Sequence, residues 1–260
     1  MRAKKSLGQN FLHDDEVIGR IVNALDLSTT DSVIEIGPGQ GALTTLLLEK
    51  ARNVTAIEFD RDLIAHLDSQ FSSFENFDLI NEDALSFSFV EYLEKASPSG
   101  NTKLVANLPY NISTPILQRL IVDRCLFSII VLMFQREVVE RITAPAGVKA
   151  RGYLSVLVEN SFKTERLFDV SPTAFHPVPR VWSSVVRLTA KTSVCPDTEI
   201  FRKIVSTSFS QKRKTLCNNL KSLLPNAAEI LHVADIDGNR RAETLTLVEW
   251  KALTAAVSRN

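Results

Sequence analysis

Residues 107 to 110 read Asn-Leu-Pro-Tyr directly after the apolar run Leu104-Val105-Ala106. An amide, a stiff Leu-Pro step and an aromatic ring in that order suit a flat base that carries an amino group. The amino nitrogen of adenine is a poor nucleophile, because its lone pair is delocalised into the ring. An Asn side-chain oxygen and a neighbouring backbone carbonyl can accept both of its N–H groups. They then favour a pyramidal nitrogen whose lone pair points at a methyl donor. Pro109 restricts Leu108 and so helps fix the carbonyl that does this, while Tyr110 can stack on a base drawn out of its helix or loop.

Three other polar positions also follow apolar runs. Gly37, Gly39 and Gly41 come after "SVIEI", Glu58 after "VTAI", and Asp83 after "FDLINE". Glycines allow unusual backbone angles and close approach of a ligand. A carboxylate in Glu58's place can accept both ribose hydroxyls of an adenosine-type cofactor, and Asp83 can accept from an adenine amino group. The same residues admit another chemistry. Gly37-x-Gly39-x-x-Ala42, with Glu58 21 residues beyond Gly37, also satisfies the dinucleotide fingerprint of a nicotinamide dehydrogenase. Hydride transfer has no evident use for Asn107-Leu108-Pro109-Tyr110, which tips the reading towards methylation of an amino group. The bland alternatives are a surface acid at Glu58, a helix cap at Asp83 and a core ring at Phe175.

Ligands in open α/β sheets lie outside the carboxyl ends of the strands, so the elements must bring these positions to one edge. Short apolar runs at 32–37, 53–60, 77–83, 103–108 and 128–135 alternate with helical patterns, the first of them behind Asp14 or Asp15 as an N-cap. This alternation predicts a mostly parallel, doubly wound sheet of Rossmann-like α/β class. After the Pro/Gly loop at 144–153, "YLSVLVENSF" and "VWSSVVRL" read as two antiparallel strands closing the sheet. From residue 191 the pattern turns helical, giving an expected division into a domain at 1–190 and a small domain of about four helices at 191–260.

With 260 residues, 45% of them hydrophobic, the chain can bury a sizeable core. The polar, basic opening carries no apolar signal segment and no run suits a bilayer span, so a cytoplasmic protein is expected. Cys125, Cys195 and Cys217 are odd in number and widely spaced, which suggests neither disulfides nor zinc. His13, His66, His176 and His232 are scattered, and none follows the apolar runs beside Asn107. A net charge of zero hides an asymmetry. Residues 1–190 carry 19 Lys and Arg against 23 Asp and Glu, and residues 191–260 carry 11 against 7. A basic tail hints at nucleic acid, although solvated helix faces give similar numbers.

Taken together, "GQNFL" at 8–12, "EIGPGQGALT" at 35–44, "IEFD" at 57–60, "EDAL" at 82–85, "NLPYNISTP" at 107–115, "MFQREVVERI" at 133–142, "FHPVPRVWSSVVRL" at 175–188 and "RKTLCNNL" at 213–220 span nearly the whole chain. In this order and spacing the sequence resembles the ribosomal RNA adenine N6,N6-dimethyltransferases, above all the bacterial enzymes acting on 16S ribosomal RNA. The resemblance implies a class I methyltransferase domain with S-adenosylmethionine as cofactor. It implies that Asn10 and Leu12 cover the methionine side, that Gly37 and its loop with Gly39 approach the methionine moiety, and that Glu58 holds the ribose and Asp83 the adenine. Asn107 would lie between cofactor and target base, and Phe175 would pack on that base opposite Tyr110. The implied substrate is two adjacent adenosines in the loop of the 3′-terminal hairpin of 16S ribosomal RNA, presented by the small ribosomal subunit during its biogenesis. Arg2, Lys4 and Lys5, together with Lys212, Arg213, Lys214 and Lys221, would meet RNA phosphates. The enzyme is expected to be a monomer that needs no metal. Two departures stand out: Arg151-Gly152-Tyr153, where members often have Tyr-Gly, and Lys212-Arg213-Lys214, where they often have Arg-Arg-Lys. A 23S ribosomal RNA dimethyltransferase of the macrolide-resistance type and a noncatalytic ribosome-assembly factor are the remaining alternatives.

Overall fold

A computed structural model describes residues 4, 8–96, 100–109, 112–191 and 199–259. Among them, strand and helix alternate from β1 (Phe11–Leu12) and α1 (Asp15–Ala24) through β2 (Ser32–Ile36), α2 (Ala42–Lys50), β3 (Asn53–Glu58), α3 (Arg61–Phe71), β4 (Phe77–Asn81), α4 (Phe89–Ala96), β5 (Thr102–Asn107) and α5 (Ser113–Val122) to β6 (Ile129–Gln135) and α6 (Arg136–Ile142). There follow α7 (Tyr153–Ser161), β7 (Phe162–Val170), β8 (Phe175–His176) and β9 (Ser183–Ala190), then α8 (Glu199–Ser208), α9 (Leu216–Leu220), α10 (Ala227–Val233) and α11 (Leu247–Ser258).

Seven strands form one sheet in the order β4-β3-β2-β5-β6-β9-β7. The first five neighbours run parallel and β9 is antiparallel to β6. β2, β5 and β6 are apolar along most of their length and buried, as a sheet covered on both faces requires. Helix α1 shows how the covering layer is specified. Asp14 Oδ1 accepts from the Val17 N–H at 3.1 Å, Asp15 and Glu16 follow in the first turn, and Val17, Ile18, Ile21 and Val22 form the buried stripe. A charge inside the strands has to be paired. Lys103 of β5 is 5% exposed and meets Asp31 at 2.8 Å.

One expected strand is a helix. Residues 153–161 were read as β from their Val and Leu content, but Ser155, Val156, Leu157, Val158, Asn160 and Ser161 are all buried, so side chains are covered around the whole circumference. Gly152 N–H donates to Ser155 Oγ at 2.9 Å, and that hydroxyl donates to the Arg141 carbonyl at 2.6 Å, fixing the helix start. Arg151, 1% exposed, pairs with Glu159 at 2.5 Å and donates to the Ala144 carbonyl at 2.9 Å. The unusual Arg-Gly-Tyr step thus anchors a loop. The strand that enters the sheet is the more polar β7 that follows, at its edge.

The chain divides into two compact units, residues 1–139 with 163–190 and residues 140–162 with 191–260. The expected boundary at 190 differs from this in the segment 140–162, because α7 packs with α8 and α11 in the second unit. No helix among the described residues is long and apolar enough to cross a membrane.

Candidate functional site

The site lies in the first unit. In register, Ile36 of β2 faces Ile57 of β3 and Ala106 of β5. Gly37, Glu58 and Asn107 are therefore each one residue past a common line. Together with Asn10, Leu12, Gly39, Asp83, Leu108, Pro109 and Phe175, they line a cavity of about 260 Å³. Tyr110 and Lys5 lie outside the described residues, as do Arg2 and Cys195.

The loop after β2 needs its glycines. Gly37, Gly39 and Gly41 have φ of 67°, 59° and 82°, which side chains disfavour. A Cβ on Gly41 would come within 2.5 Å of the Phe71 ring, and one on Gly39 within 3.2 Å of the Phe11 ring. This turn aims its backbone at Glu58, whose Oε2 accepts from Gly39 N–H at 3.4 Å while Oε1 accepts from Asp60 N–H at 2.9 Å. Burial raises the Glu58 pKa, and the N–H groups of Asp60, Gly39 and Phe59 work against it by favouring the charged form. A carboxylate has room for further donors, so both oxygens remain competent to take ribose hydroxyls.

Asp83 serves two purposes. Its Oδ1 accepts from Leu85 N–H at 2.9 Å within a turn rather than at a helix start, α4 beginning only at Phe89, and the residue also lines the cavity. Asn81 Nδ2 donates to the carbonyls of Glu58 and Phe59 at 2.9 and 3.2 Å and ties the ends of β3 and β4 together. At the end of β5 the Pro109 carbonyl is taken by Ile112 N–H at 3.2 Å and Ser113 Oγ at 3.1 Å, where α5 begins. Phe175 is 2% exposed and belongs to the core while also walling the cavity. The pairing of β1 with β8 sets Leu12 opposite Phe175 and so joins two motifs far apart in sequence.

Several residues of the site escaped the sequence reading. Glu35, 1% exposed, lines the cavity and accepts from Thr44 Oγ1 at 2.6 Å. Burial, with a smaller push from the negative Glu58, raises its pKa to about 7. A charged residue inside the apolar run "SVIEI" was the available signal. Gln9, Phe59, Ile112, Met133 and Ser183 also line the cavity. Lys4 was expected to meet RNA phosphate and instead pairs with Asp60 at 2.5 Å and Asp62 at 2.7 Å. Gln9 Nε2 donates to the second Asp60 oxygen at 2.8 Å. Lys4 and Gln9 are thus pinned to the residue whose N–H holds Glu58.

In the second unit, Lys212, Arg213 and Lys214 are exposed in the connection between α8 and α9, and Lys221 is exposed just after α9. The buried Asn219 shapes this connection by donating to the carbonyls of Ser208 and Gln211 at 2.8 and 3.1 Å.

The family model for ribosomal RNA adenine dimethylase matches residues 1–254. The chain belongs to this family. It is therefore an enzyme, a ribosomal RNA adenine dimethyltransferase, and the dehydrogenase reading falls. Curated relatives named ribosomal RNA small subunit methyltransferase A include those of Hahella chejuensis, 43% identical over 96% of this chain and 90% of the relative, and Clostridium botulinum, 42% identical over 97% and 93%. A solved dimethyladenosine transferase from Plasmodium falciparum superposes with a TM-score of 0.84 at 26% identity, covering 96% of this chain and 98% of that one. The 23S rRNA methyltransferase ErmE shares the fold, with a TM-score of 0.73 at 24% identity, covering 96% of this chain and all of that one. The parallel, doubly wound sheet expected from the alternating pattern and the class I methyltransferase fold that the resemblance implied are together the fold of this dimethylase.

Glu35 yields a pH prediction. Since its pKa in the fold is raised from 4.5 to about 7, the folded dimethylase favours the neutral acid. That contribution is complete below the ordinary carboxylate range and fades as pH climbs through about 7. Glu35→Gln should match the parent in urea denaturation near pH 4 and exceed its stability near pH 8 by about 3 kcal/mol. A difference that does not change with pH would show that the carboxyl is charged throughout.

Proposed function

We propose that this dimethylase transfers methyl groups from S-adenosylmethionine to N6 of two adjacent adenosines in the loop of the 3′-terminal hairpin of 16S ribosomal RNA. It acts on the small ribosomal subunit during biogenesis, as a cytoplasmic monomer without metal. The observation that carries the reading is that Asn107-Leu108-Pro109 walls the same cavity as Glu58 and Asp83, so a base and an adenosine-type cofactor can share one space. The small-subunit names of the relatives support the choice of substrate over the 23S type.

When bound, the cofactor supplies an electrophilic methyl group on a sulfonium and leaves as a neutral thioether. Gly37 and Gly39 let the main chain approach its methionine part, with Asn10 and Leu12 covering that side. Glu58 takes the ribose hydroxyls. Asp83 takes the adenine amino group through the oxygen not used by Leu85. On the substrate side, Asn107 Oδ1 and the Leu108 carbonyl accept the two N6 hydrogens and turn the nitrogen lone pair towards the methyl group. Tyr110 and Phe175 hold the two faces of the base. The proton lost from N6 becomes acidic after alkylation and leaves to water, so no side chain is needed as general base. A loop substrate fits this pocket because unpaired bases are easily splayed, whereas an A-form duplex hides its base edges. We assign RNA docking in the second unit to Lys212, Arg213, Lys214 and Lys221, which position phosphates without reading sequence.

Small subunits from cells lacking the enzyme should accept two labelled methyl groups on each of two adenosines, and modified subunits almost none. Methylation of a 23S fragment in their place would assign the enzyme to the other substrate. Asn107→Ala should lower turnover about 100-fold with a much smaller change in cofactor affinity by calorimetry; near-normal turnover would remove Asn107 from the reaction. Reversing Lys212, Arg213 and Lys214 to Glu should reduce the slope of log affinity for subunits against log salt by about two. An unchanged slope would make that block an ordinary solvated face.

A further inference from the structure

Between Phe175 and Ser183, both of which line the cavity, the chain runs outward through residues 176–182. Val178, Val181 and Trp182 on this excursion are 61%, 41% and 47% exposed, and Arg180 is exposed as well. Three exposed apolar side chains within five residues exceed what a solvated loop needs, and concentrated exposed apolar surface marks binding sites. The excursion has a fixed base. The Trp182 carbonyl accepts from Arg136 N–H at 2.9 Å, and Ser183, next in sequence, is 2% exposed at the start of β9. An exposed indole two residues from an exposed guanidinium, on a main chain anchored at its end, suits a base and its phosphate, because stacking accepts any base and Arg both pairs with phosphate and lies flat on rings.

We propose that Arg180 and Trp182 hold the single-stranded RNA next to the target adenosine, Trp182 stacking on a neighbouring base and Arg180 pairing with its phosphate. The inference deepens the RNA reading above and rests on it. Drawing one adenosine into the cavity strips its neighbour of a stacking partner. The excursion stands at the rim of the same cavity, continuous with the wall that Phe175 and Ser183 form, and offers a replacement. Its cation gives it the sign that an RNA strand requires.

The test measures KM and kcat on unmethylated small subunits and cofactor affinity by calorimetry, with emission titrations against the protein-free hairpin. Trp182→Ala should raise KM about tenfold, the scale of one lost base stack, with cofactor affinity unchanged and Trp182→Phe restoring most of the loss. Arg180→Ala should raise KM and lower the salt slope by about one. The chain has two tryptophans, and Trp250 is fully buried, so hairpin binding should quench the emission of Trp182. Normal KM in Trp182→Ala overturns the proposal, as does an equal loss in Trp182→Phe. A raised KM without quenching by the hairpin also overturns it and assigns the face to a ribosomal protein. If the unaltered enzyme methylates no small subunit, the functional reading itself fails and this inference with it.

Discussion

The in-register parallel pairing of β3, β2, β5 and β6 is the constraint on which the site depends. With Ile36 level with Ile57 and Ala106, and Asn107 level with Met133, β2, β3 and β5 end within one residue of a common line that β6 crosses on its way to Gln135. A slip of one residue in any pair would turn that strand's side chains to the opposite face and carry Glu58 or Asn107 out of the cavity. Such slips are resisted because these strands are buried on both faces, so each register error would bury a polar residue such as Thr55 or Lys103 against the wrong neighbour. Packing in the sheet and precision at the site are therefore the same property.

The buried acids are tolerated because main-chain and side-chain donors were folded into place for them. Glu58 sits where two loops turn their N–H groups inward, and Glu35 sits where Thr44 of α2 reaches it. The left-handed glycine turn is what allows the first of these. A side chain at Gly39 would push against Phe11 and move the N–H that Glu58 accepts. The polar floor of the cavity is thus held by the protein's own hydrogen bonds, the form that preorganisation takes for a transfer reaction.

Most of this was legible in the sequence. The alternation of apolar runs and helical patterns gave the parallel sheet, and the polar residue following each run marked the site. What stayed hidden has physical causes. Residues 153–161 bury polar and apolar side chains alike, so their short apolar run could not separate a buried helix from a strand. The edge strand β7 is polar enough that it did not read as a strand. Lys4 read as one more basic residue because its partners, Asp60 and Asp62, are brought to it only by the fold. Phe175 read as core or as a stacking ring, and it is both buried and part of the cavity wall.

The chain of contacts from Lys4 and Gln9 to Asp60, and from the Asp60 N–H to Glu58, joins the segment ahead of β1 to the floor of the cavity. Lys4 and Gln9 thus brace the Glu58 carboxylate through Asp60. In practical terms, an affinity tag or fusion partner attached ahead of Lys4 loads the brace directly.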